Sequence, residues 1–514
     1  MDVLQNVFQS YEFNLRNLKD ASSNLIINGI LTIMVIILFV YWWRNKNVKK
    51  YKLPPGPRGA PILGYLPFLG KEPFRDFDKL SKKYGNVMSV YLGQSYVVIL
   101  GNFEAVKVAL SKNSTLNRPE GLFDFLPDGV GFSSVNDTQW VEQRRFSVKA
   151  MRDLGLGRSK WEYLVLEELD DFIKLISSFK GKPINVFRFL ALSVSNNMSS
   201  LLFGRRLPLN DKNLNFVTDT LDKLFSHFSQ ANWSHYFPVL HNIFSKLGLN
   251  SLSTSRKEFE AFNNFIREQV EVQKKTYTPG STDNFVHEFL TEIKKNESKE
   301  SGNKFDESVL RGNLQALFLG GSDTTSLSLS WLLLCMAKYR DIQQRVHQEL
   351  DTVLGRDGKI QYSERFKVPY TLAVIMEEQR YRTLAPLNTS RIASEDIKIQ
   401  GYDIPRGTII IGNNWGLHHD TRYWKEPEKF MPERFLSDDG KQVNVKHESY
   451  VPFSYGKRGC PGETVAYIEI LSYFVAIMQN FEVLPPENKT PIMEGILGLT
   501  YATIPQELRF IARR

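Results

Sequence analysis

The ten residues Phe453-Ser454-Tyr455-Gly456-Lys457-Arg458-Gly459-Cys460-Pro461-Gly462 constrain this chain more than any other segment. The chain has 514 residues and two cysteines, so no disulfide framework organises it, and Cys460 reads as a free thiol. Cys335, the other cysteine, falls in an apolar helical run. A free cysteine matters through its reactivity more than its packing. Lys457 and Arg458 place positive charge just upstream, and Pro461 is suited to open a helix through Thr464-Val465-Ala466-Tyr467-Ile468-Glu469-Ile470-Leu471. A helix N-terminus and nearby cations both lower a thiol's pKa, so the segment predicts a thiolate. Gly456, Gly459 and Gly462 would let the backbone approach something flat and bulky. Taken alone, the cysteine is equally a buried structural thiol beside a glycine-rich turn.

Length alone suggests roughly three domains at about 150 residues each. With 42% hydrophobic and 24% charged residues the composition is globular, and 35 Phe favour apolar pockets. Lys and Arg total 65 against 56 Asp and Glu, a net charge of +9. The cations are spread along the chain and no nucleic-acid motif accompanies them, so nucleic acid is not an expected partner. Leu25 to Trp43 carries no charge. As a helix at about 1.5 Å per residue it nearly spans a bilayer's hydrocarbon core. A core helix or a cleaved signal peptide would share the apolar run. Against cleavage, the run starts late, lacks a small-residue cleavage site and ends in Trp42-Trp43, suited to the membrane interface. Arg44, Lys46, Lys49, Lys50 and Lys52 follow it, whereas residues 1–24 hold only Arg16 and Lys19 as positive charges. The positive-inside rule then places the large C-terminal part in the cytosol, and the sequons at Asn113, Asn136 and Asn388 would go unused.

The expected organisation is a short luminal segment 1–24, an anchor 25–43, a basic, proline-rich linker 44–57 and one catalytic unit 58–514. Val87 to Tyr91 and Tyr96 to Leu100 read as a hairpin around Leu92-Gly93-Gln94-Ser95. Ile397 to Gln400 and Thr408 to Ile411 read as a second strand pair, and helical periodicity dominates from about Phe103. Thr278 to Asp283 and Lys294 to Lys304 read as polar loops, and Asp306 to Met336 as one long helix. The class is mainly α with a smaller β portion contributed by both halves.

Three further patterns are ambiguous singly. Gly320-Gly321-Ser322-Asp323-Thr324-Thr325 sits within the long helix, where each glycine costs about 1 kcal/mol against alanine. Hydroxyl and carboxyl groups in that turn can bend the helix, so a packing kink would account for it. Glu377 and Arg380 share a helix face near Tyr370, as an ordinary surface ion pair would. Trp140 and Arg144 share another, and are equally a core tryptophan with a solvated arginine.

Together these segments resemble the cytochrome P-450 family, microsomal animal branch. Phe453 to Gly462 matches the haem-binding signature Phe-x-x-Gly-x-Arg-x-Cys-x-Gly at every defining position. Gly320 to Thr325 matches the oxygen-activation motif, Glu377-x-x-Arg380 the family's Glu-x-x-Arg, and Phe430-Met431-Pro432-Glu433-Arg434-Phe435 the segment that pairs with it. Ala373 to Glu377 and His418-His419-Asp420 match the flavour of that branch. The resemblance covers essentially the whole chain. It implies haem b between a long kinked helix and the cysteine loop, with Cys460 as the axial iron ligand, and an N-terminal transmembrane helix. Asp323 and Thr324 would deliver protons. Trp140, Arg144, Arg391 and Arg458 would bind the haem propionates. Glu377, Arg380 and Arg434 would form a buried structural triad holding the cysteine loop.

The implied activity is insertion of one oxygen atom of O2 into a lipophilic small molecule with NADPH-derived electrons. Steroids, fatty acids, terpenoids and xenobiotics all fit. Implied partners are a flavoprotein NADPH-cytochrome reductase, cytochrome b5 as a second donor, and the lipid of the endoplasmic reticulum membrane. Arg145, Lys149 and Lys457 would lie on the reductase-docking side. An isomerase or dehydratase of the same fold acting on peroxides is one alternative, disfavoured by the Asp323-Thr324 pair. A non-catalytic haem-binding sensor and a structural membrane protein without haem are others. Apolar pocket candidates are Phe123, Phe125, Phe132, Phe225, Phe228, Leu317, Ala385, Leu387, and Leu497 to Leu499.

Overall fold

The computed structural model describes residues 51–119, 131–155, 159–209, 211–227, 236–237, 256–297, 305–356 and 358–513, with isolated positions 28, 32, 34 and 35. The expected anchor 25–43 therefore lies outside the described residues apart from those four, which are helical. Among the described residues no helix is long and apolar enough to cross a membrane.

Helices dominate. In chain order they are α1 Pro73–Tyr84, α2 Phe103–Leu110, α3 Asp137–Asp153, α4 Ser159–Ser178, α5 Val186–Phe203, α6 Lys212–His227 and α7 Arg256–Thr276. Then come α8 Phe285–Glu297, α9 Glu307–Lys338, α10 Arg340–Val353, α11 Pro369–Arg382, α12 Asn414–His418 and α13 Glu463–Asn480. The centre is α9. Asp306 caps its start, accepting the Val309 N–H at 2.9 Å. Its second half, from Ser328 to Ala337, is buried on every side, as an all-round apolar run requires. Helices α5, α11 and α13 surround it and are themselves largely buried.

The β portion does come from both halves. Strands β1 Val87–Leu92 and β2 Ser95–Leu100 form the expected hairpin, pairing Val87 with Leu100 and Leu92 with Ser95. Gly93 makes the turn at φ +54°, where a Cβ would fall 2.5 Å from the Tyr236 carbonyl oxygen. Strands β3 Arg391–Ile392, β4 Ile397–Ile399, β5 Tyr402–Ile404 and β6 Ile409–Gly412 follow. The expected second pair is wrong in its partners. Ile397–Ile399 pairs with Tyr402–Ile404 across the Gln400-Gly401 turn. Ile409–Gly412 instead lies parallel to Val97–Leu100 and antiparallel to β3, giving the order β1-β2-β6-β3. Buried Ile410 and Ile411 meet the hairpin's buried Val98 and Ile99, which an isolated pair of short strands would leave wet. Strands β7 Phe481–Leu484 and β10 Arg509–Ala512 pair with each other, as do β8 Gly495–Leu497 and β9 Tyr501–Thr503.

The charged stretch from Lys294 was expected to be a loop, but α8 continues through Glu297. Phe285, Val286 and Phe289 are fully buried at helical spacing, and Leu290 and Ile293 pack beside them, so one apolar face carries the cations outward. The expected start of α13 at Pro461 also moves: Gly462 is the cap and Glu463 the first helical residue.

Candidate active site

A cavity of about 370 Å³ lies between α9, α5, the residues following α11 and the cysteine loop. Cys460 opens into it, as do Gly320, Gly321, Thr324 and Thr325 from α9. The loop is fixed by its own backbone: Cys460 N–H donates to Phe453 O at 2.9 Å and Gly459 N–H to Gly456 O at 2.9 Å. Gly456 serves this turn rather than a flat ligand. It adopts φ +80°, and a Cβ there would sit 2.1 Å from the Leu110 carbonyl oxygen.

The expectation of a thiol pKa lowered by its neighbours fails for the protein alone. Burial pushes the Cys460 thiol up, against the opposing pull of the Gly462 N–H and of Arg144. The expected cations point elsewhere. Lys457 donates to Asn113 Oδ1 at 2.8 Å, and Arg458 is directed to the carbonyls of Ser133 and Val135. A coordinating metal cation would deprotonate such a thiol outright.

Within α9 the two glycines have separate uses. A Cβ on Gly321 would lie 2.4 Å from Met198 Sδ, so this glycine lets α5 and α9 approach closely. A Cβ on Gly320 would meet nothing within 4 Å; that side is the cavity. Thr324 Oγ1 donates to Gly320 O at 2.6 Å. Asp323 faces away from the cavity. It is 8% exposed, is not among the described residues lining the cavity, and its Oδ2 accepts the Thr500 hydroxyl at 3.3 Å. The helix turns residue 323 some 100° away from residue 324, so one of the two faces aside.

One side of the cavity is a cluster of arginines. Arg144 reaches the Gly459 carbonyl at 2.6 Å, and Arg391, on β3, the Arg458 carbonyl at 3.2 Å. The Arg458 guanidinium lies over the Trp140 ring at 4.6 Å. Arg118 is a fourth member that the sequence reading missed. It is 9% exposed and its guanidinium donates to Thr389 O at 2.6 Å and Ser390 O at 2.9 Å. A single arginine before Pro119 in a loop carries no periodic signal. No Asp or Glu is among the described residues lining the cavity. Desolvation and mutual repulsion therefore depress these guanidinium groups: Arg391 to about 10, chiefly by burial with Arg144 adding, and Arg458 to about 9, by burial with Arg391 and Arg144. Arg118 falls well below its usual value for the same reasons. Buried N–H groups on Arg118, Arg391 and Arg458 lack partners. Such a cluster calls for an anion with more than one negative charge.

Glu377 and Arg380 are fully buried, and Arg434 reaches them from a partly buried position. Arg380 grips Glu377 through Nε to Oε2 at 2.7 Å and through a second nitrogen to Oε1 at 2.8 Å. Arg434 Nε and the Met431 N–H reach the same Oε1 at 3.2 and 2.8 Å.

Of the apolar candidates, Phe132, Leu317, Ala385, Leu387 and Leu499 line the cavity. Leu497 does not; it packs against the main core, on β8, whereas Leu499 lies past the end of that strand. Gly498 likewise is not a lining residue. Phe123, Phe125 and Phe228 lie outside the described residues, and Phe225 is placed only as a backbone position in α6. Met198 and Phe259 line the cavity and were not foreseen, since in sequence they read as ordinary core positions.

A cysteine open to an apolar cavity, with an arginine cluster on one side and a glycine–threonine helix on another, is the site of a haem-thiolate protein. A family model described as Cytochrome P450 matches residues 54–510, and the chain belongs to that family. It is 31% identical over 513 residues to cytochrome P450 2U1 of Rattus norvegicus, covering 93% of this chain and 94% of the relative. It is 32% identical over 486 residues to cytochrome P450 2J5 of Mus musculus, covering 91% and 93%. With cytochrome P450 2A13 of Homo sapiens it shares 30% over 490 residues, covering 95% and 98%. The chain is thus a cytochrome P450 monooxygenase of the animal microsomal type, using haem b with O2 and NADPH-derived electrons. The family implies a redox partner and a lipophilic substrate. The residues fit the cofactor: the unpaired arginine donors would suit two propionates, Cys460 would offer a sulfur to the iron, and the cavity is open at Gly320.

Proposed function

We propose that Cys460 is the axial iron ligand, that Arg118, Arg144, Arg391, Arg458 and Trp140 hold the propionate side, and that Thr324 and Asp323 deliver protons. The observation that carries this reading is one cavity joining the Cys460 sulfur, the Thr324 hydroxyl and the arginine cluster. When bound, the haem supplies activation of O2, and the cysteine sulfur pushes electron density toward it. The protein's part is placement. Leu317, Ala385, Leu387, Leu499, Met198 and Phe259 give an apolar surface that orients a lipophilic substrate and excludes water. Thr324 presents its hydroxyl oxygen to the cavity while its proton is held by Gly320 O. Glu377, Arg380 and Arg434 hold the segment around Met431 and so brace the approach to the cysteine loop.

In this reading residues 25–43 span the endoplasmic reticulum membrane once, 44–57 form the linker, and the body 58–514 lies in the cytosol. NADPH-cytochrome reductase supplies electrons, with cytochrome b5 as a second donor. Cys460→Ser tests the ligand: the reduced carbon monoxide complex should lose its thiolate-specific, red-shifted band, and a retained band would remove Cys460 from the role. Thr324→Ala should keep haem while releasing more peroxide per NADPH.

A further inference from the structure

The carboxyl group assigned to proton delivery does not face the cavity, yet a hydroxyl bonded to it does. Thr500 Oγ1 lies 3.3 Å from Asp323 Oδ2, and Thr500 lines the cavity whereas Asp323 does not. Thr324, the neighbouring hydroxyl, has its proton directed at Gly320 O at 2.6 Å. In that rotamer its oxygen faces the cavity while its proton points into the helix, so it hands a proton to the cavity only after the hydroxyl turns.

Thr500 is held firmly. It sits at the end of the β8–β9 turn, where Gly498 N–H donates to Thr500 O at 2.8 Å. The next residue ties the turn down at several points. Tyr501 N–H donates to Leu384 O at 2.7 Å, and Trp331 Nε1 on α9 donates to Tyr501 O at 2.7 Å. The Trp331 and Tyr501 rings stack 5.7 Å apart at 14°. The Tyr501 hydroxyl reaches Glu72 Oε1 at 2.5 Å. Two turns of α9 separate Asp323 from Trp331, so the same turn is fastened to the helix at both levels.

We propose that Thr500 positions Asp323 and carries its proton into the cavity, an assignment that rests on Asp323 being the acid. With Asp323 protonated, Thr500 Oγ1 accepts the carboxyl proton while its own hydroxyl proton passes to an acceptor in the cavity. The Asp323 O–H bond breaks, one O–H bond forms on Thr500 and its former one breaks. Asp323 is left as carboxylate and is reprotonated from bulk water. Because Leu499 lines the cavity beside Thr500, a substrate that shifts this turn also shifts the relay.

The test compares Thr500→Val, which keeps the shape and removes the hydroxyl, with Thr500→Ser, which keeps the hydroxyl, in the full-length haem-loaded enzyme with reductase. Product formed per NADPH, peroxide released and the solvent deuterium isotope effect on product formation are measured, with Asp323→Asn alongside. Thr500→Val should lower product per NADPH by about 3- to 10-fold, the range one hydrogen bond controls, with more peroxide and a larger isotope effect. Thr500→Ser should restore all three, and Thr500→Val should add nothing to Asp323→Asn. Should Thr500→Val fail to load haem, Thr500→Ala against Thr500→Ser gives the same comparison. Normal coupling in Thr500→Val, or a defect shared equally by Thr500→Ser, would overturn the proposal while a defective Asp323→Asn left the acid in place. Normal coupling in Asp323→Asn would remove both.

Discussion

Arg144 on α3 donates a 2.6 Å hydrogen bond to the carbonyl of Gly459, the residue before Cys460. A side chain from a distant helix thereby holds the cysteine loop while its charge belongs to the arginine cluster. Its own pKa is lowered by burial, partly offset by Cys460. Arg144→Ala therefore removes two things at once. A hydrogen bond from a charged donor contributes about 1.5–3 kcal/mol. The loop should loosen, and repulsion within the cluster should fall. Apoprotein stability should change little, because the two effects oppose, whereas haem retention should drop clearly. Melting of apo and holo forms side by side checks this: the gap between them should narrow. Arg118→Gln should narrow it too, and a gap unchanged in both variants would take the cluster out of cofactor binding.

Glu377 accepts from buried Arg380, from partly buried Arg434 and from the Met431 N–H. Glu377→Ala would leave Arg380 and Arg434 without their shared carboxylate. Removing one member of a buried ionic network costs about 3–5 kcal/mol, a large share of a typical protein's total stability. The expected outcome is little or no haem-loaded protein on expression. Glu377→Asp should recover part of it, since the shorter carboxylate still neutralises the pair. Haem content per polypeptide measures both.

Part of this architecture was legible because it is local. Cys460, its glycines and the Gly320 to Thr325 turn are short patterns whose chemistry shows in neighbouring letters. Arg118 was not legible, because its role is built from three distant segments. Its N–H bonds Asn136, its guanidinium reaches Thr389 and Ser390, and its charge matters only beside Arg391 and Arg458. Strand pairing failed for the same reason. Alternation identifies Ile409–Gly412 as a strand, but nothing near it names Val97–Leu100 as its parallel neighbour. The expected cations beside the thiol failed because sequence proximity of Lys457 and Arg458 says nothing about where their side chains point.

Glu469 on α13 is wholly buried between α5 and α9, with Asn197 and Thr325 as its polar neighbours and Tyr473 nearby. Burial raises its carboxyl from 4.5 to about 8, against those two side chains. A carboxyl held above its unfolded value favours folding while it stays protonated. That contribution is complete below pH 4.5 and is lost as pH rises through about 8. Stability should therefore decline between these limits, and Glu469→Gln, always neutral, should flatten the decline. Denaturant unfolding of the holoenzyme at pH 5.5, 7 and 8.5 reads it. The variant should be relatively most stabilised at pH 8.5, and parallel curves for the two proteins would show that Glu469 does not titrate in this window.

The face of α3 away from the core carries Arg145, Lys149 and Arg152, beside a groove that also includes Lys457 and the exposed Val141 and Val148. Charge rimming an apolar strip suits an acidic electron donor, because complementary charges raise the encounter rate and the apolar strip adds contact. The charges are not equivalent. Lys149 is paired with Asp153 at 2.8 Å, and Lys457 is bonded to Asn113. Arg145 should therefore dominate, and Arg145→Glu should slow reductase-supported turnover more than Lys149→Glu. Both effects should shrink as salt rises, since the Debye length falls from about 10 Å at 0.1 M to about 3 Å at 1 M. Turnover driven by added peroxide needs no docking and should stay nearly intact in both variants. Equal loss by the two routes would place the damage at the haem, through the neighbouring Arg144, and the docking assignment would be withdrawn.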